Sequence, residues 1–183
     1  MLIENVKQQL NINSTLEILS LFDIKLDTEK TSKEAFSVFE SNPAIPGIIL
    51  IENGKYIGMV SRKCFFEVMS KPYSLELFLK RSIDTFYQDL EIEDSLIIPE
   101  STLISNATSL ALQRNAKDIY EPIVVITESK NYKILDIDQL LLAQSIIHIQ
   151  TLEQLKKNVS YFKNLLNNSG QGFLTIKDDL YVE

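Results

Sequence analysis

Apolar and polar positions along this chain follow one pattern that occurs twice. From Phe22 the first run reads FDIKLDTEKTSKEAFSVFESNPAIPGIILIENGKYIGMVSRKCFFEVM. From Asp94 the second reads DSLIIPESTLISNATSLALQRNAKDIYEPIVVITESKNYKILDIDQLLLA. Each opens on a short apolar strand, Ile24 to Leu26 and Leu96 to Ile98, and then passes through a polar stretch into a helix. Thr31 and Glu34 have capping-box spacing, in which hydroxyl and carboxylate satisfy free amides of the first turn. In the second copy Ser101 or Thr102 is expected to cap. The helices carry Ala35, Phe36 and Phe39 in one copy and Ile104, Ala107, Leu110 and Ala111 in the other, at spacings suited to packing on a sheet.

A proline then stands at the mouth of an apolar strand in each copy. Pro46 precedes Ile48 to Ile51, and Pro122 precedes Ile123 to Ile126. The first position of a strand tolerates proline because its missing amide is not needed there. Asn53-Gly54 predicts a tight hairpin, since both residues accept positive φ; Glu128 to Asn131 takes that place in the second copy. Return strands at Tyr56 to Val60 and Tyr132 to Leu135 lead into helices capped by Ser61 and Asp136. The two prolines are expected to occupy equivalent places in superimposable repeats.

Between the copies, Leu75, Leu77, Phe78, Leu79 and Phe86 make the connection too apolar for a free linker, and a packed helical segment is expected. After Asp136 no proline or glycine occurs until Gly170. Leu152, Leu155, Val159, Phe162 and Leu166 are spaced 3-4-3-4, the seam of a coiled coil. Asn167 to Gly170 is a stop signal, and the alternating tail GFLTIKDDLYVE looks like the opening strands of a further domain. The chain thus divides into a first repeat with an N-terminal helix (1–71), a helical connection (72–93), a second repeat (94–145), a signalling helix (146–168) and the truncated start of a downstream domain (169–183).

Composition narrows the function. With 18 lysines and arginines against 25 aspartates and glutamates, the net charge is -7, and no basic run is present. Nucleic acid and anionic membrane surfaces are therefore not expected partners. No apolar stretch approaches the roughly 20 residues of a membrane span, and the first ten residues do not read as a signal peptide. One cysteine, Cys64, permits no internal disulfide and fits the reducing cytoplasm. The single histidine, His148, lies far from it in sequence. No zinc spacing, glycine-rich phosphate loop or hydrolase motif appears, so no catalytic residue and no metal ligand is assigned.

Through Thr31, Pro46, Gly54, Gly58 and Ser61 in the first copy, and more divergently in the second, residues 15 to 145 resemble the tandem CBS domain, named after cystathionine β-synthase. The segments PGIILIENGKYIGMVSRKCFFEVMSKPYSLELFLKR and YEPIVVITESKNYKILDIDQLLLAQSIIHIQTL are similar to a bacterial subgroup found before histidine kinase or diguanylate cyclase (GGDEF) outputs. The tail resembles the entry to a PAS-like region. The resemblance implies an α/β fold of two βαββα repeats about a pseudo-twofold axis, followed by a coiled-coil signalling helix. It implies a non-catalytic sensory module, homodimeric, coupled to a downstream output domain in the same polypeptide. The alternative is a ligandless dimerisation module that sets the geometry of that output.

The resemblance also places a ligand cleft between the copies, with Ile45, Ser61, Cys64, Tyr120, Glu121, Asp136 and Gln139 as candidate residues. In nucleotide-binding members a hydroxyl at the cap and an acid three residues later hold the ribose. Here Cys64 stands where that acid belongs, and Arg62 and Lys63 are the nearest basic residues. Adenine nucleotide is therefore not expected to bind tightly, and no cofactor is assigned. Ser61 serves equally as a plain helix cap. Cys64, flanked by Phe65 and Phe66, is expected to be a buried small hydrophobe. His148 lacks the acid and Arg-x-Pro element of a phospho-acceptor. Asp136 and Asp138 are expected to be a cap and a first-turn acid.

Overall fold

The computed structural model describes residues 10–90 and 95–168. The expected strands after Gly170 and the first nine residues of the expected N-terminal helix lie outside them. Two three-stranded sheets form, one per repeat. The first repeat runs β1 (Lys25–Asp27), α1 (Ser32–Ser41), β2 (Gly47–Glu52), β3 (Lys55–Ser61) and α2 (Arg62–Met69). Two short helices follow, α3 (Ser74–Phe78) and α4 (Ile83–Gln88). The second repeat runs β4 (Ile97–Pro99), α5 (Ile104–Leu112), β5 (Ile123–Ile126), β6 (Tyr132–Leu135) and α6 (Ile137–Asn168). In each sheet the middle strand pairs parallel with the first and antiparallel with the third.

Local chemistry accounts for most boundaries. The Thr31 capping box forms in full, with the hydroxyl accepting from the Glu34 amide and the Glu34 carboxylate accepting from the Thr31 amide. Asn53 and Gly54 both take positive φ, as their two-residue hairpin requires. The second helix start differs from expectation. The residue ahead of α5 is Leu103, with no side-chain cap, so neither Ser101 nor Thr102 takes that role. Backbone from elsewhere does the work instead: the Ile104 amide donates to the Ser14 carbonyl at 3.0 Å.

Ladder register defines the repeat. Ile49 faces Met59 in one sheet, and Val124 faces Ile134 in the other. These four residues form the buried seam where the two sheets meet. Above it Tyr56 and Tyr132 stack with ring centroids 4.5 Å apart. Both prolines precede the middle strand, but the register offsets them by one. Gly47 pairs with Ser61, and Ile48 and Ile123 hold equivalent ladder positions opposite Val60 and Leu135. Pro122 therefore corresponds to Gly47, and Pro46 to Glu121. A bulge between Leu50 and Ile51 gives β3 an extra residue, which the longer second turn balances.

Each repeat is closed by a segment that precedes the other repeat in sequence. Ser82 bridges to Thr31 at the head of α1, and Thr15 bridges to Leu103 at the head of α5. The surrounding hydrogen bonds match: Ser32 N–H to Arg81 O and Ile104 N–H to Ser14 O, both 3.0 Å. A helical turn follows each bridge. Ile83 and Phe86 of α4 enter the first core with Phe39, Phe65 and Leu50. Leu10 and Leu16 enter the second core with Ile104, Val125 and Leu140. Of the expected N-terminal helix, the described part holds one 3-10 turn, Leu16–Ile18, and it covers the second repeat. Tyr87 of α4 lies against Gly58, where a β-carbon would collide with the phenol.

The chain divides after Ile147 into two units. Within the first, Ile137, Leu140, Ala143 and Ile147 of α6 pack in the second core. In the second, α6 continues without a break to Asn168, and Leu152, Leu155, Val159, Phe162 and Leu166 are all exposed.

Candidate functional site

The start of α2 and the loop before β5 come together around an open cleft of about 650 Å³. That is room for a small molecule, within the roughly 300–1,000 Å³ typical of ligand pockets. Met59, Ser61, Lys63, Cys64 and Glu67 line it from the first repeat. Arg114, Lys117, Asp118, Glu121 and Pro122 line it from the second. Of the candidate residues, Ser61, Cys64 and Glu121 meet here. Ile45 is a core residue of the first repeat, and Tyr120 is 65 % exposed and outside the lining. Asp136 and Gln139 sit at the start of α6, also outside the lining.

Ser61 is positioned by β3, whose last residue it is, and it is 3 % exposed. Its Oγ accepts the Cys64 amide at 3.0 Å, the ordinary cap bond. Cys64 is half-buried on the cleft wall rather than a buried hydrophobe, because α2 turns Phe65 into the core and leaves its neighbour at the rim. Burial pushes the thiol up from its usual range. Glu121 and Glu67 add to this, against Lys71 and Lys63. A neutral thiol alkylates slowly. Iodoacetamide at neutral pH is expected to modify Cys64 more slowly than a free small thiol; an equal or faster rate would contradict the geometry.

Charge in the cleft is balanced. Lys63 Nζ and Glu121 Oε1 lie 3.2 Å apart, joining the two repeats across the opening. The Arg114 guanidinium donates to the carbonyls of Ala111, Ile119, Glu121 and Pro122. Most of its five donors are thereby used to hold the loop before β5. Arg62, expected near the cleft, does the same for the other repeat. It donates to the carbonyls of Phe39, Asn42 and Ile45, and its guanidinium lies 5.0 Å from the Phe39 ring centroid and 5.6 Å from that of Phe66. Of the three cleft cations, Arg114 is tied to carbonyls and Lys63 to a carboxylate, and with Lys117 they match the three acids Glu67, Asp118 and Glu121. Sequence reasoning missed Arg114, Lys117 and Asp118, which occupy an irregular loop with no motif of its own.

At the equivalent start of α6, Asp136 Oδ1 accepts the Asp138 amide at 3.2 Å. Burial raises the Asp136 carboxyl above its ordinary range; that hydrogen bond opposes the rise, and the Asp138 charge adds to it. A folded-state value above the unfolded one means the folded protein holds the proton longer. Stability from this group is then present below the unfolded value and lost as pH rises through the folded one. Asparagine keeps the cap acceptor without the charge. Asp136→Asn is therefore expected to raise the melting temperature near neutral pH and to change little at about pH 3, where aspartate is largely protonated. An equal shift at both pH values would assign the effect to capping instead.

Among the described residues no group of three or more histidines, cysteines, aspartates or glutamates is placed to hold a metal ion, and no helix is long and apolar enough to cross a membrane. No protein-family model and no curated protein matches the sequence. Solved structures do match. A CBS-domain-containing protein from Agrobacterium tumefaciens aligns over 73 % of this chain and 92 % of its own, at 9 % identity and a TM-score of 0.55. A CBS-domain-containing protein from Thermotoga maritima aligns over the same shares, 73 % and 92 %, at 15 % identity and a TM-score of 0.52. A structure of CBSX2 in complex with AMP covers 78 % of this chain and 97 % of its own, at 17 % identity and a TM-score of 0.48. The crossed repeats, the shared sheet seam and the likeness to the Agrobacterium and Thermotoga structures agree: the fold of this chain is that of a tandem CBS-domain pair.

Proposed function

We propose that this chain is a non-catalytic regulatory module of a bacterial signalling protein, with a histidine kinase or GGDEF-type diguanylate cyclase as its downstream output. The inter-repeat cleft takes a small ligand, which favours one arrangement of the two repeats, and α6 carries the difference onward. The observation that supports this most directly is the path of α6. It leaves β6, packs in the second core as far as Ile147 and runs on without interruption to Asn168. A ligand moves such an equilibrium only through its differential affinity for the two arrangements.

Cys64 reports on the cleft, so the test couples its alkylation to hydrogen exchange. A panel of adenine and guanine nucleosides and nucleotides, with and without magnesium, is screened by thermal shift. A compound that stabilises the protein, protects Cys64 and alters exchange along α6 supports the reading. One that protects Cys64 and leaves α6 unchanged overturns the transmission step. AMP and ATP are expected to bind weakly; sub-micromolar affinity abolished by Ser61→Ala would overturn that expectation. The second reading is a ligandless interaction module. The Lys63–Glu121 pair across the opening and the missing ribose acid favour it, and a panel without any shift or protection would select it.

A further inference from the structure

The two sides of the repeat pair are built differently, although the repeats place equivalent residues on both. Ile24 and Leu96 hold the same position, each accepting an amide of its own middle strand, from Ile49 and from Val124. Met59 and Ile134 hold the same position in the return strands. On one side the chain ahead of β1 is laced to β6. Phe22 and Ile134 exchange both backbone hydrogen bonds at 2.8 Å. Further along in the same antiparallel register, Lys25 Nζ donates to Asn131 Oδ1 at 2.9 Å. The Phe22 side chain packs against both the sheet seam and the first core. On the other side Met59, Ser95 and Leu96 line the open cleft. The Lys63–Glu121 ion pair crosses its opening at 3.2 Å, with the lysine side chain 58 % exposed and the glutamate 20 %.

These two kinds of tie yield at different costs. Parting the bridge leaves backbone groups of Ile134, a wholly buried residue, without partners. A salt bridge that reaches solvent breaks easily, because water replaces each partner. A motion of one repeat against the other therefore turns about the first side and opens at the second. We propose that the repeats work as a hinged clamp, with the Phe22–Ile134 strip as the hinge and the Lys63–Glu121 pair as a latch over the cleft. Because β6 carries one half of the hinge and leads through Asp136 into α6, opening the clamp turns the packed start of α6 against the first repeat. The latch answers to charge: a ligand that brings a carboxylate or phosphate to Lys63, or an ammonium group to Glu121, releases it. For the role of α6 the clamp rests on the regulatory reading. The hinge and latch belong to the free chain, so they are tested without a ligand, and their failure leaves the ligand panel standing.

Cys64 on the cleft wall reads the latch. Its rate of labelling by a bulky dye-maleimide is divided by its rate with N-ethylmaleimide. Both reagents take the thiolate, so the ratio cancels the influence of Lys63 and Glu121 on the thiol itself and keeps only access. Lys63→Met and Glu121→Gln are each expected to raise the ratio, by up to about fivefold for an ion pair of this exposure. Added salt is expected to raise it in the wild type and to leave both variants unchanged. No rise in either variant, a rise in one alone, or a salt response equal in all three proteins overturns the latch. Hydrogen exchange reads the hinge. The Phe22 and Ile134 amides are expected to keep their wild-type protection in both variants while access to Cys64 increases. Loss of protection there in step with the labelling ratio would mean that the repeats part as a whole, and would overturn the hinge.

Discussion

Phe65→Ala is expected to remove about 3–5 kcal/mol from the first unit's stability, the range for deleting a fully buried phenylalanine. Phe65 is wholly buried at the centre of the first core. Its ring lies 5.1 Å from both Phe39 and Phe86, 5.5 Å from Phe66 and 6.4 Å from Phe36, centroid to centroid. One substitution therefore breaks contacts among α1, α2 and the closing helix α4 together. Those rings are held by three different elements and have little freedom to collapse into the space. Domains of this size have about 5–15 kcal/mol in total, so the loss is a large fraction of it. Urea unfolding gives the measurement. A loss under about 1.5 kcal/mol, the cost of a minor core change such as Ile→Val, would show that the aromatic cluster is loosely packed.

The second large effect is expected at Arg62, where a charged side chain does structural work. Its guanidinium satisfies carbonyls at the end of α1 and along the loop to β2, while its face rests on Phe39 and Phe66. Hydrogen bonds from a charged donor contribute about 1.5–3 kcal/mol each, and removing the donor leaves half-buried acceptors without it. Arg62→Ala is expected to cost at least about 2 kcal/mol, allowing for water reaching the Asn42 carbonyl. Lysine should recover little, because a point charge lacks the planar fork and the stacking face. Denaturation of Arg62→Ala and Arg62→Lys side by side decides it. Full rescue by lysine would mean that charge alone matters at this position.

Much of the fold was legible because it rests on local chemistry. The Thr31–Glu34 box, the Asn53-Gly54 turn and the apolar runs after each proline each have one physical solution, and the sheets formed where those signals stood. Ser101 and Thr102 looked like caps by residue type alone. The Ser14 carbonyl, about ninety residues away in sequence, replaced them, and a long-range partner of that kind leaves no trace in a local window. The one-residue offset of the prolines was visible in their distances to the caps, 15 residues from Pro46 to Ser61 and 14 from Pro122 to Asp136, and because a bulge in β3 and a longer turn after β5 cancel in length, that difference is the register offset itself. Of the cleft, Ser61 and Glu121 could be read from strand and helix boundaries. Arg62 could not, since basic side chains beside a cleft read as ligand contacts until their acceptors are known. Asp118 and Lys117 belong to a loop whose course depends on Arg114, and residue spacing carries no information about it.

The crossed closing segments have a consequence for how the protein is made. Thr15 and Leu16 leave the ribosome ahead of both repeats, yet their place is against Leu103, Ile104 and Leu140, which follow roughly ninety to one hundred and twenty residues later. At about 5–20 residues per second they wait several seconds for their partners. The first repeat faces no such delay: its own closing segment, Ser82 to Gln88, follows α2 after the short helix α3. Synthesis therefore completes the first core while the lid of the second still waits for the repeat it covers, and the Phe22–Ile134 bridge can form only once β6 has emerged. The earliest residues of the described chain are thus among the last to settle, and the two repeats become one body at that moment.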